Sequence, residues 1–145
     1  MRAKLSLTAV LLVFVGFAAA SCGPSPTVAS ATPGYSQTDI RPGAGNEAAV
    51  GSVVTVEYAG WLLDPTQADQ KGLLFDTSRG GTAPFSFTVG AGQVIDGFDQ
   101  GTVGMRVGGL RRLVIPPSLG YGMVRTGSIP PNATLVFDIE LLSLQ

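Results

Sequence analysis

The sequence predicts an α+β domain in which an antiparallel β-sheet wraps one short α-helix. Glycine accounts for 20 of the 145 residues, about twice its average usage, and this favours a turn-rich β architecture over a helical bundle. Apolar and polar residues alternate with a period of two through much of residues 35–145, as expected for half-buried strands. Only one segment suggests a helix. The length and the 45% hydrophobic content favour one compact domain over two.

Two strands are predicted first along this region. Residues 52–62 are rich in β-branched and aromatic residues, and Val54, Val56 and Tyr58 fall on one side of an extended chain. Residues 85–89, FSFTV, alternate cleanly, with both phenylalanines and the valine on one face and the two hydroxyl residues on the other. This second segment predicts a half-buried strand.

Residues 96–105, DGFDQGTVGM, are the segment that predicts a helix. Phe98, Val103 and Met105 are expected to face inward, and Asp96 stands where an N-cap residue is favoured. The internal glycines make this helix weak unless tertiary packing fixes it.

Two further strands follow the predicted helix. Residues 110–115, LRRLVI, predict a strand that ends at Pro116 and Pro117, because proline cannot continue a central ladder. Residues 134–144 predict the last strand. Its apolar face consists of Leu135, Phe137, Ile139 and Leu141.

The first residues predict an export signal. MRAK is a short basic region, and residues 5–20 form an apolar run that ends in small residues and is shorter than the roughly 20 residues that a transmembrane helix needs. The sequence AASCG resembles a lipobox, so we expect a lipoprotein-type signal peptide, residues 1–21, cleaved before a lipidated Cys22. Ala19 stands where Leu, Val or Ile is usual. Ordinary cleavage near Ala20, with Cys22 as an incidental thiol, is the alternative.

Residues 22–34 predict a flexible tether, and residues 35–145 the folded domain. After Cys22 the segment GPSPTVASATPG is built from Gly, Pro, Ser, Thr and other small residues without a hydrophobic period. A single cysteine excludes an intrachain disulfide. The stability of the domain must therefore come from packing.

The composition excludes several classes of function. Without histidine there is no Ser-His-Asp or Cys-His arrangement and no HExxH metal site. A net charge of −1 and a charged fraction of 13% provide no basic patch for nucleic acid, and no glycine cluster has the context of a phosphate-binding motif. Asp96 and Asp99 could imitate a glycosidase pair, but their spacing is more typical of helix capping. We therefore expect no metal, no cofactor and no nucleic-acid partner.

A series of motifs nearly spans residues 35–145. They are VTVEYAGWL, GLLFDTSRGGTAPFSFTVGAGQVIDGFDQGTVGMRVGG, IPPSLGYG and IPPNATLVFDIELL. In this order they resemble the FKBP-type peptidyl-prolyl cis-trans isomerases, and the combination is highly specific although no single piece is. The resemblance implies an FKBP-like fold: five to six antiparallel strands curl around one short helix, and an apolar pocket between helix and sheet receives a proline ring.

The resemblance also implies which residues form the site. The positions that match the family's catalytic residues are Tyr58, Phe75, Asp76, Tyr121 and Phe137. The positions that match its substrate-binding residues are Phe85, Val94, Ile95, Phe98 and Ile129. In the family, the backbone N–H at Ile95 and the hydroxyl at Tyr121 hold substrate carbonyls, while Asp76, hydrogen-bonded near Tyr58, polarises the site. Residues 120–132, GYGMVRTGSIPPN, resemble the loop that arches over the pocket and brings Tyr121 from one end and Ile129 from the other.

The sequence departs from the family pattern at several positions. Phe98 stands where tryptophan is frequent, which retains an aromatic face but loses area and an indole donor. Gly81 stands where an arginine often supports the pocket aspartate, so such support would have to come from Arg79. The loop is about one residue shorter, with Ser128 at a usually apolar position. We therefore expect weaker binding of drug-like macrolides.

These observations predict an exported prolyl isomerase. Its expected partners are proline-containing polypeptides and, as a second class, macrolide ligands, with the membrane reached through lipid on Cys22 and with a monomeric state. One alternative is a proline-binding or chaperone module with little turnover, although chaperone-type relatives carry a large insert where this chain has only a short loop. The other is a structural envelope lipoprotein with a vestigial fold.

Overall fold

The computed structural model describes residues 32–81 and 83–145. The predicted signal peptide, Cys22 and residues 22–31 of the predicted tether lie outside the described residues. Within them, Pro117–Leu119 forms a single 3-10 turn. The other elements are strands β1 (Ser36–Arg41), β2 (Val53–Leu63), β3 (Lys71–Thr77), β4 (Phe85–Thr88), β5 (Leu110–Ile115) and β6 (Leu135–Leu144) and helix α1 (Asp96–Thr102).

The strands form one antiparallel sheet in the order β1-β5-β6-β2-β3. Strand β4 pairs with residues 53–56 of β2, and β3 pairs with residues 59–63 of the same strand. Sheet and helix confirm the predicted fold class, an antiparallel sheet curled around one short helix. The strands predicted from alternation, 52–62, 85–89, 110–115 and 134–144, are each found within one residue of their predicted ends.

The inner face of the sheet carries the core. On β6 the predicted apolar residues Leu135, Phe137, Ile139 and Leu141 are all buried. They meet Val54 and Val56 of β2 and the buried residues of α1 and β5 in one cluster. Because successive side chains of a strand point to opposite faces, the charged residues between them lie on the outer face.

The helix is shorter than predicted and is capped differently. It ends at Thr102, and Ile95 occupies the N-cap position without a side-chain hydrogen bond, so the prediction of Asp96 as N-cap is wrong. Val103 has an extended backbone and a side chain that is 39% exposed, so the prediction that it faces inward is also wrong. Met105 and Phe98 are buried as predicted. Met105 enters the core after Gly104, whose φ of +78° turns the chain away from the helix.

Two glycines allow α1 to approach β5 closely. A Cβ atom at Gly97 would lie 2.5 Å from Cγ2 of Ile115, and one at Gly101 would lie 2.4 Å from Cδ1 of Leu113. Both partner side chains are fully buried and have no space to retreat. The glycines that weaken the helix in sequence terms are thus required by its packing against the sheet.

Replacing Gly101 with alanine is expected to lower the free energy of unfolding by about 1–3 kcal/mol, the usual cost of overpacking a core. Alanine favours a helix over glycine by about 1 kcal/mol, so the expected sign opposes helix propensity. Gln100→Ala, at an exposed position of the same helix, is the matched control and is expected to change little. Urea unfolding measures both, and a Gly101→Ala protein as stable as the wild type would contradict the close approach.

Arg111 links the first strand to the end of the helix. Its Nη1 donates to the carbonyls of Gly101 and Val103, at 3.0 Å each, and its Nε and Nη2 donate to the Asp39 carboxylate of β1. These bonds satisfy carbonyls that a helix end leaves without intrahelical partners. The hydrogen bonds from Arg111 also hold the pKa of Asp39 below its usual value.

Candidate active site

A pocket of about 190 Å³ opens between α1 and the inner face of the sheet. The strands contribute Tyr58, Asp76, Phe85 and Phe137 to its wall. The turn before α1 and the helix itself contribute Gln93, Val94, Ile95 and Phe98, and the loop after β5 contributes Tyr121. Strands β2, β3, β4 and β6, helix α1 and two loops thus place side chains toward the same cavity.

Aromatic rings form the deep part of the pocket. Phe98 packs edge-to-face against Phe137 and Tyr58, with ring centroids 5.3 and 5.6 Å apart. Phe98 and Phe137 are both 4% exposed, whereas Tyr58 is only partly buried. Edge-to-face pairs add stability beyond simple burial and fix the orientation of each ring. The deep part of the pocket is therefore walled by packed aromatic rings.

Polar groups of Tyr58, Asp76, Gln93 and Tyr121 also line the cavity. The Tyr58 hydroxyl donates to Oδ2 of Asp76 at 2.8 Å, and the Tyr58 backbone N–H donates to Oγ of Ser78 at 2.9 Å. Burial and then the hydrogen bond to Asp76 raise the pKa of the Tyr58 phenol far above its ordinary value. Burial, helped by the charge of Asp76, also raises the pKa of Tyr121. Both phenols therefore remain neutral hydrogen-bond donors at physiological pH.

The loop at 120–132 joins the pocket through its first turn. The Asn132 N–H donates to the Gly122 carbonyl at 2.8 Å and closes the base of the loop, which keeps Tyr121 at the pocket wall. Met123 and Val124, which follow it, are 73% and 67% exposed. Among the described residues, no cluster of three or more metal-ligating side chains forms here or elsewhere.

Comparison with known proteins identifies the family of this fold and pocket. The family model FKBP_C, FKBP-type peptidyl-prolyl cis-trans isomerase, matches residues 45–142. The chain belongs to this family. It is 45% identical over 107 residues to an FK506-binding protein of Neisseria meningitidis serogroup B, covering 73% of this chain and 92% of that protein. It is 47% identical over 113 residues to FK506-binding protein 1 of Dictyostelium discoideum, covering 77% and 99% respectively.

Solved structures show the same architecture. The crystal structure of AtFKBP13 superposes with a TM-score of 0.65 at 35% sequence identity, covering 77% of this chain and 93% of that chain. The crystal structure of FkpA from Escherichia coli gives a TM-score of 0.64 at 38% identity, covering 77% of this chain and 48% of that chain. The FKBP fold predicted from the motifs is therefore supported by both sequence and structure.

Two residues predicted for the FKBP pocket, Phe75 and Ile129, are not among those that line this cavity. Phe75 lies edge-on to Phe137, with centroids 5.5 Å apart, and supports that ring from the side of β3. Ile129 is buried in the hydrophobic core, and its N–H and carbonyl both bond to Thr126. The structure brings the other predicted pocket residues together, and their individual roles remain predictions.

Arg79 does not support Asp76 in this structure. Its Nη2 lies 3.6 Å from Oε2 of Glu140 on the outer face of the sheet, so the support that the sequence left open for Asp76 comes from the Tyr58 hydroxyl. Within residues 32–81 and 83–145, Asp76 forms no salt bridge, and its side-chain hydrogen-bond partner is the Tyr58 phenol.

Gln93 is the pocket residue that the sequence did not reveal. It lines the cavity, and its Oε1 accepts a hydrogen bond of 2.8 Å from the Thr88 N–H at the end of β4. A glutamine in a glycine-rich turn carries no periodic signal, and exposed polar residues are common in such turns. Only its position directly before Val94 and Ile95 could have pointed to it.

Proposed function

We propose that this FKBP-family protein catalyses cis-trans isomerisation of Xaa-Pro bonds in exported polypeptides, with the aromatic pocket as its active site. The observation that carries the proposal is the wall of packed Tyr58, Phe98 and Phe137 rings around a cavity large enough for a proline ring. The relatives named FK506-binding proteins and the family model support this activity.

Such a pocket suits a reaction that breaks no covalent bond. The Xaa-Pro bond faces a barrier of roughly 20 kcal/mol and isomerises in tens to hundreds of seconds without a catalyst. At the twisted transition state the imide loses resonance and therefore polarity. A dry aromatic cavity favours that state over the planar, better-solvated ground state. No proton has to be transferred.

The polar groups of the pocket fit the task of holding the peptide while the bond turns. The backbone carbonyl of Ile95 accepts hydrogen bonds from the N–H groups of Phe98 and Asp99 at 3.0 and 3.1 Å. We assign the backbone N–H of Ile95 to a carbonyl of the substrate. The Tyr121 hydroxyl is the second donor in our assignment. Asp76, held by Tyr58, places a negative charge beside the substrate. Fixing a peptide in this way lowers the entropic part of the barrier.

Two further partner classes belong to the proposal. Macrolides are a ligand class for the same cavity, since several relatives are named for binding FK506, and Phe98 in place of a larger indole is expected to weaken that binding.

Holding of unfolded chains is a second candidate function. The exposed pair Met123 and Val124 beside the pocket favours it, because exposed apolar side chains bind apolar segments of a client.

We further propose that the protein is exported and anchored to a membrane by lipid on Cys22. The basic start, the apolar run and the small residues before Cys22 support this placement. No helix within residues 32–81 and 83–145 is long and apolar enough to cross a membrane. Mass spectrometry of the mature N-terminus tests the anchor: a lipidated Cys22 is expected, and an unmodified N-terminus upstream of it would contradict it.

Isomerase activity is tested by NMR exchange spectroscopy on a short Leu-Pro peptide with the purified protein at a catalytic concentration. We expect exchange between the cis and trans resonances that is absent without protein. The matched peptide with alanine in place of proline populates almost no cis form and should show no exchange. Chemical-shift changes without exchange would instead favour the binding function.

Catalysis is expected to be independent of pH between about 6 and 9. The pKa values of Tyr58 and Tyr121 are both raised above the ordinary value for a phenol, so both stay protonated throughout this range, and the chain has no histidine. The exchange rate at saturating peptide, measured across the range, checks this. A bell-shaped profile would show that a titrating group takes part and would contradict the mechanism.

A further inference from the structure

Gln93 occupies the mouth of the pocket. Of the residues that line the cavity, Gln93 and Asp76 are the exposed ones, whereas Phe98 and Phe137 are buried at its depth. An apolar proline ring belongs in the depth, so the backbone on either side of the proline has to pass the mouth. A backbone carbonyl that leaves water there needs a protein donor, because an unpaired one costs free energy.

The orientation of the Gln93 carboxamide is fixed chemically. Its Oε1 lies 2.8 Å from the Thr88 backbone nitrogen, which can only donate, so the accepting branch must be the carbonyl oxygen. The Nε2 branch therefore points away from β4. None of the hydrogen bonds found within residues 32–81 and 83–145 uses this Nε2, so within this part of the chain its two N–H donors have no protein partner.

We propose that Nε2 of Gln93 donates a hydrogen bond to a backbone carbonyl of the bound peptide that lies outside the turning Xaa-Pro imide. The inference rests on the proposed isomerase function and adds a substrate-binding donor to that same site. The two branches of one side chain then have separate tasks: Oε1 holds the side chain on β4, and Nε2 holds the substrate.

The proposal predicts which kinetic constant depends on Gln93. The contacted carbonyl lies outside the turning imide, so the hydrogen bond has the same strength in the ground state and in the transition state. Interactions that are equal in both states lower KM without changing kcat. Loss of the Nε2 donor is therefore expected to raise KM about fivefold, the effect of one ordinary hydrogen bond, and to leave kcat unchanged.

Gln93→Glu separates the binding task from the structural one. A carboxylate can still accept from the Thr88 N–H, so the side chain keeps its place, but at neutral pH it has no donor and repels a carbonyl oxygen. We expect a rise in KM of fivefold or more at pH 7, with kcat and the urea midpoint close to those of the wild type. Gln93→Met has a similar shape but neither branch, and is expected to raise KM about as much.

Acidification distinguishes the two variants. A glutamate protonates with an ordinary pKa of about 4.3 and then has an O–H donor again, so the KM of Gln93→Glu should return toward the wild-type value between pH 7 and pH 4. That of Gln93→Met should not. Other titratable groups lie near Gln93: the same cavity is lined by Asp76, Tyr58 and Tyr121, and Asp99 accepts a hydrogen bond from the Gly90 N–H. Because these groups could change KM with pH in every protein, each variant is compared with the wild type at the same pH.

Each result bears on the inference. A higher KM in both variants at pH 7, with acid recovery only in Gln93→Glu, supports the Nε2 contact. An unchanged KM in Gln93→Glu, or equal recovery of both variants in acid, overturns it. If the wild type does not catalyse exchange, the isomerase function fails by itself. The dissociation constant for the same peptide, from NMR titration, then replaces KM and still tests the contact.

Discussion

Asp138→Ala is expected to lower the free energy of unfolding by about 3 kcal/mol, the lower end of the range for breaking a buried ion pair. Asp138 lies on the outer face of β6 and is 8% exposed. It accepts from Nε and Nη2 of Arg112, at 2.7 and 3.0 Å, and from Nζ of Lys71 at 2.7 Å. Removal of the carboxylate leaves the partly buried Arg112 without the group that it binds, and leaves Lys71 with the exposed Asp69 carboxylate 4.0 Å away. Chemical denaturation measures the loss.

Asp69→Ala is the matched control for this change. Asp69 lies 4.0 Å from the same Lys71 ammonium, but its side chain is 57% exposed, and exposed pairs contribute about 0–1 kcal/mol. The two variants therefore remove the same chemical group from the same lysine at different depths. Equal losses of stability in both would contradict the importance of burial at Asp138.

The pH dependence of stability gives a second readout of the Asp138 cluster. Burial alone would raise the pKa of Asp138, but the hydrogen bonds from Arg112 and Lys71 outweigh it and hold the pKa below its ordinary value. A carboxyl group with a lowered pKa contributes stability above its unfolded pKa of about 3.9, and the contribution disappears as the pH falls through the folded pKa. The difference between wild type and Asp138→Ala should accordingly shrink below about pH 4.

The sequence predicts the strands that carry an apolar residue at every second position. Strand β6 has its apolar face at every second residue, and all of those residues are buried, so period two finds its ends within one residue. Strand β1 is exposed along its whole length and therefore has no alternation to detect. Strand β3 shifts register against β2, and such shifts interrupt the period of two. Alternation along the sequence therefore predicts neither strand.

The candidate site is predictable to the extent that its residues carry motifs. Most pocket residues lie in segments that resemble the FKBP family, and the fold brings them to one cavity. Ile129 and Phe75 carry the same motif signal but do not line the cavity, because a motif does not state which way a side chain points. The place of the Gln93 side chain at the pocket depends on one hydrogen bond from the Thr88 N–H. The spacing of residues along the chain does not predict this contact.

Phe137→Leu is expected to reduce kcat/KM on the order of tenfold, which corresponds to about 1.4 kcal/mol of transition-state stabilisation. The Phe137 ring contacts Phe98 and Phe75 edge-to-face, with centroids 5.3 and 5.5 Å away, and also tilts against Tyr58. Leucine keeps the site apolar but removes the ring that orients the other three. The substitution should cost about 1–2 kcal/mol of folding stability as well.

Phe87→Leu controls for that loss of stability. Phe87 is 3% exposed and packs on Phe85 and Phe98, with centroids 5.6 and 5.7 Å away, but it does not line the cavity. Both leucine variants are expected to lose similar stability in urea, while only Phe137→Leu loses activity in the exchange assay. If Phe137→Leu retains full activity, exclusion of water by any apolar wall is sufficient for catalysis. If only the Phe137 variant fails, the aromatic ring of Phe137 at the cavity wall is itself part of the mechanism.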